Sequence, residues 1–92
     1  MATVTKDARE QWLDCQLDKG MFSDEVAVTY PPEGQAVLSV FVPLNTVKGA
    51  VGSRGKVKII VESRVDGNIV AILPSAQRDV VVVSEKDVSY KV

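Results

Sequence analysis

A chain of 92 residues with a net charge of −1, 46% hydrophobic and 25% charged, is one small folded domain, too apolar for disorder and too short for a large core. It holds no histidine and one cysteine, Cys15, which excludes an intrachain disulfide, a Cys–His or Ser–His nucleophile and the commonest zinc ligand. Valine supplies 18 residues, and β-branched side chains favour strands over helices, so the expected class is all-β: a small antiparallel barrel or sandwich of SH3-like size, with five to seven short strands and room for a short N-terminal helix.

Residues 1–10 are polar and rich in helix formers, and read as a tail or a short helix capped by Thr5. Residues 11–92 are expected to form the single β domain. The stretch MATVTKDARE has no apolar h-region, which argues against a signal peptide, and no apolar run approaches the ~18 residues a membrane helix requires. A cytoplasmic, non-membrane protein is the default expectation.

Residues 11–18, QWLDCQLD, place Leu13, Cys15 and Leu17 on one side if extended, a cleaner pattern than the scattered stripe of a helix. The propensities of Leu, Gln and Asp favour the helix, so that reading competes. In the loop at 19–24, Met21 and Phe22 are expected to plug one end of the core, with a contact surface as the alternative. Residues 25–30 alternate, with Val26, Val28 and Tyr30 facing inward. The turn Pro31-Pro32-Glu33-Gly34 leads into a strand over 35–42, with Leu38, Val40 and Val42 on one face. Residues 44–50 make one helical turn or an irregular loop.

Residues 49–55 are glycine-rich and read as a mobile loop. They match neither GxxxxGK[ST] nor GxGxxG, and they precede a strand rather than a helix. The clearest signal follows: GKVKIIVESRVDGNIVAIL, two apolar runs around Asp66-Gly67-Asn68. Asp-Gly between β-branched runs predicts a hairpin with a type I′ turn, because both central residues need positive φ. A loop at 74–78, a strand at 79–84, a turn at 85–87 and a short strand or tail at 88–92 complete the chain.

Several of these strands are apolar at consecutive positions: four valines at 80–83, five residues at 69–73, three at 59–61. An antiparallel strand with one wet face should alternate, and a small β domain has only one interior. Ile60, Val70, Ile72, Val81 and Val83 are therefore candidates for an oligomer interface, with cover by the N-terminal segment or loops as the competing reading.

The charge is uneven, −4 over residues 1–43 and +4 over residues 44–64. Lys48, Arg54, Lys56, Lys58 and Arg64 form a candidate basic face for RNA or single-stranded DNA. No aromatic lies between Val42 and Ser89 for base stacking, and the pI of about 5.3 falls short of a nucleic-acid footprint. The competing reading pairs these cations with the acidic first half of the chain. Asp14, Asp18, Asp24 and Glu25 lack metal-loop spacing. Cys15 reads as a buried structural thiol, and Ser53, Ser63 and Ser75 have no histidine base. No catalytic residue, metal or cofactor is expected, and the balance is against an enzyme unless a site is shared between subunits. The expected function is a non-catalytic binding or assembly module that self-associates through an apolar sheet face, or binds another protein; the alternative is a nucleic-acid-binding barrel.

Overall fold

In a computed structural model the described residues are 10–91, with Lys91 described by its backbone alone. The expected N-terminal tail or short helix therefore lies, save for Glu10, outside the described residues. Eight antiparallel strands form a nearly closed small barrel: β1 (Glu10–Lys19), β2 (Glu25–Tyr30), β3 (Leu38–Pro43), β4 (Val47–Lys48), β5 (Arg54–Val65), β6 (Asn68–Ile72), β7 (Val80–Ser84) and β8 (Val88–Lys91). Single 3-10 turns at Leu44–Thr46 and Glu85–Asp87 separate β3 from β4 and β7 from β8.

The contested 11–18 segment is the strand around which the sheet is built. β1 pairs with β5 along one side through residues 11–16, and on the other side with β8 through residues 10–13 and β2 through residues 16–19. Burial of Leu13, Cys15 and Leu17, each fully enclosed, outweighs the helix propensity of their neighbours, as tertiary context commonly does. Val26 and Val28 from β2, Val42 from β3, Val57 from β5, Ile69 from β6 and Val83 from β7 complete the same core.

The Asp-Gly hairpin forms as expected. Val65 pairs with Asn68, leaving Asp66 and Gly67 as a two-residue loop with φ of 50° and 81°, the positive values a type I′ turn demands. β3 starts at Leu38 rather than at 35. Met21 and Phe22 do not plug the core: they are 74% and 68% exposed at the tip of the β1–β2 connection. The glycine-rich loop is tied to β1, since Gly52 N–H donates to the Leu17 carbonyl (2.7 Å) and Leu17 N–H to the Ser53 carbonyl (2.9 Å).

The sheet runs β3-β2-β1-β5-β6-β7, so β3 and β7 end it on either side of a seam. Tyr30 latches one end of that seam. Its hydroxyl donates to Asp87 Oδ2 at 2.6 Å and accepts from the Ser84 N–H at 3.2 Å. Burial, then the bond to Asp87, pushes the phenol's pKa up. Tyr30→Phe strands a partly buried carboxylate and an amide at once. Stability in urea is expected to fall by about 1–3 kcal/mol, and an unchanged midpoint would show the latch to be ornamental.

Candidate interaction surface

The register decides which apolar residues look outward. Ile60 stands opposite Ile72, which stands opposite Val80, and Val70 stands opposite Val82. Directly opposed residues share a face, so the outer face of β5, β6 and β7 carries Ile60, Val70, Ile72, Val80 and Val82. Ile60, Val80 and Val82 are 55%, 61% and 58% exposed; Val70 and Ile72 are half-buried.

Two expected interface residues are misplaced. Val81 and Val83 point inward, Val81 partly buried against the core and Val83 within it. Four consecutive valines have no periodicity, so the pattern of residues could not choose between the odd and even pairs. The pairing of β7 with β6 chooses the even pair, Val80 and Val82, for the outside.

A register shift between Val61 and Ser63 inserts Glu62 as a bulge in β5. One extra residue reverses the inside-outside alternation beyond it. Val65, 59% exposed, thereby joins the outer apolar face, which then has six members.

The same bulge splits the candidate basic cluster. Lys48, Arg54, Lys56 and Lys58 gather on the outer face of β4 and β5, where Lys48 pairs with Lys56, Lys56 with Asp14, and Lys58 with Trp12. Arg64, past the bulge, lies on the other face and meets Tyr90, Gln11 and Glu85 instead.

Each of these cations already has a partner. Arg54 meets Glu33 at 2.9 Å, Lys56 meets Asp14 at 2.5 Å, Lys58 meets Glu10 at 3.7 Å and Arg64 meets Glu85 at 3.5 Å. Lys48 lies 4.7 Å from the centre of the Trp12 ring, within cation–π range. Glu10, Asp14 and Glu33 all come from the acidic first half, so the uneven charge of the sequence is spent across the fold. Exposed pairs of this kind are each worth about 1 kcal/mol or less; their consequence is a neutralised surface rather than a stable one. Trp12 joins this face through the pairing of β1 with β5, and it lies more than 30 positions before Lys48, beyond the reach of any local pattern.

Neither Cys15 nor Ser75 is placed to act as a nucleophile. The Cys15 thiol is fully buried. Burial foremost, then the charge of Asp14, pushes its pKa up from 9.0 to about 12, with Lys56 opposing. Ser75 is buried, but its hydroxyl donates to Asp79 Oδ2 at 2.6 Å and accepts from the Asp79 N–H at 3.0 Å, which makes it a turn brace. Among the described residues no group of three His, Cys, Asp or Glu side chains is placed to hold a metal, and no helix is long and apolar enough to cross a membrane. Compared with known proteins, the chain matches no family model, no curated protein and no solved structure.

Proposed function

We propose that this chain is a non-catalytic assembly module that binds a second copy of itself through the outer face of β5, β6 and β7. The observation that carries the reading is the six-residue apolar face formed by Ile60, Val65, Val70, Ile72, Val80 and Val82. The last strand of that sheet, β7, adds a second argument. Leu73 N–H donates to the Asp79 carbonyl, so odd-numbered residues of β7 bond to β6, while Val80 and Val82 turn their N–H and C=O groups away. An edge strand of valines, with no proline or charge, lacks the usual devices that deter pairing with another edge.

Magnitudes place the affinity. Four exposed side chains, each covered for about 1.5–3 kcal/mol, contribute roughly 6–12 kcal/mol. Association costs roughly 4–15 kcal/mol, so the net is at most about 8 kcal/mol, which is micromolar at its tightest. A cytoplasmic location fits, because a chain with one buried thiol needs no oxidising compartment. A nucleic-acid role draws less support, since the basic side chains already face carboxylates or an aromatic ring.

Sedimentation velocity across the micromolar range tests the reading. The native chain is expected to shift from monomer to dimer or larger, and Val82→Lys to weaken association by about tenfold or more. A native chain that stays monomeric throughout overturns it.

A further inference from the structure

The opposite edge of the sheet supports a different kind of contact. Among the described residues β3 pairs with β2 alone, and the Leu44 N–H bonds to the Asp24 carbonyl in continuation of that ladder. In an antiparallel ladder the bonded residues alternate. Val42 and Val40 therefore turn their backbone groups to β2, and Phe41 and Ser39 turn theirs away. Among the described residues nothing accepts or donates to those outward groups.

The unpaired edge borders a groove. A cavity of about 410 Å³ lies between Ser39, Val40 and Phe41 on one side and the 75–79 loop on the other. A second, of about 240 Å³, continues past Phe41, Val42 and Pro43 against Pro74 and Ala76. A third, of about 460 Å³, reaches Leu44 and Asn45. Half-exposed Phe41 and Leu44 offer apolar footholds along this line.

The groove's charge is of one sign. Asp24, Glu25 and Asp79 line it, and among the described residues no lysine or arginine does. Glu25 accepts the Met21 N–H and Asp79 accepts the Ser75 hydroxyl, yet none of the three faces a cation among the described residues. Elsewhere on the barrel Glu10, Asp14, Glu33 and Glu85 are each matched to one. The groove thus combines unpaired main-chain donors and acceptors, apolar footholds and unmatched negative charge.

We infer that the β3 edge accepts an extended peptide that alternates basic and apolar residues, as an added strand. Main-chain bonds to Ser39 and Phe41 supply the pairing; the basic side chains lie on the face of β3 that carries Phe41 and Glu25, the apolar ones turn to the face of Val40 and Val42, and Asp24 and Asp79 add negative charge along the groove. The extended run from Ser39 to Pro43 takes roughly five residues of an added strand, and the 3-10 turn at Leu44–Thr46 ends it. This surface lies across the seam from β7 and uses none of the six outward apolar residues of the β5–β7 face.

The test uses a capped seven-residue peptide of alternating lysine and valine, with a glutamate–valine peptide of equal length beside it. Amide hydrogen exchange on the full chain is the readout. The lysine–valine peptide is expected to slow exchange at Ser39 and Phe41 by about tenfold or more, and to bind more weakly as salt rises. Phe41→Pro removes an edge donor without touching the bonds to β2 and is expected to abolish binding. Asp24→Lys, whose carboxylate has no cation partner among the described residues, is expected to weaken binding in a chain whose β2–β3 amides stay protected. Three results overturn the inference: no binding of the lysine–valine peptide, equal binding of the glutamate–valine peptide, or binding that leaves Ser39 and Phe41 unprotected. Protection at those amides that grows with protein concentration alone also overturns it, by assigning the edge to a second copy.

Discussion

Gly55→Ala is expected to destabilise the barrel by on the order of 3 kcal/mol, the upper part of the range for an overfilled core. Gly55 is the second residue of β5 and stands opposite Cys15. A methyl group there would land against the Lys48 carbonyl oxygen and 2.5 Å from Leu17 Cδ1. The first obstacle is backbone belonging to the short β4–β5 ladder, and the second is a side chain with no exposed surface. Neither can give way locally. Leu17→Ala alone should cost about 2–5 kcal/mol through the void it leaves. Combined, the two substitutions should cost less than their sum, because the shortened side chain no longer opposes the added methyl. Urea midpoints for the four chains measure this coupling. Strict additivity would mean that the collision with Leu17 is relieved some other way.

Alkaline pH should weaken the fold through Cys15. Burial raises the thiol from its ordinary value of 9.0 to about 12, so the folded chain keeps a proton that the unfolded chain gives up. Its contribution is complete below pH 9.0 and drains away as pH rises towards about 12. In that window one such group costs about 1.4 kcal/mol for every pH unit. Tyr30, raised for the same main reason, acts in the same direction at higher pH. Cys15→Ala removes the proton altogether. That variant is expected to be less stable at pH 7, where it leaves a small void, and to lose stability with pH less steeply than the native chain. Urea denaturation between pH 8 and pH 11 compares the slopes, and parallel slopes would show that the thiol does not titrate with unfolding. In the folded chain the thiolate population at pH 8 is negligible, so alkylation of Cys15 should track unfolding.

Much of this protein was legible from residue order alone, wherever a local physical rule had one outcome. Asp66-Gly67 had to turn, because two adjacent positions required positive φ. Val26, Val28 and Tyr30 had to face one way, because their neighbours alternate in polarity. The valine content set the class, and the absence of histidine removed most nucleophilic chemistry. For the 11–18 segment two local rules conflicted, and the enclosure of Leu13, Cys15 and Leu17 settled the conflict in favour of a strand.

What only the tertiary structure decided was parity and partnership. The run from Val80 to Val83 is the same residue four times, so its inward and outward members exist only once hydrogen bonds to β6 set the register. The bulge at Glu62 leaves no mark in the alternation, yet it moves Val65 onto the outer face and separates Arg64 from Lys58. Opposite charges distant along the chain, such as Glu33 and Arg54, meet because β1 carries partners on both of its sides. Local sequence specifies what a strand is made of; which groups remain unpaired at the edges of the sheet depends on long-range pairing, and no short window of residues contains that information.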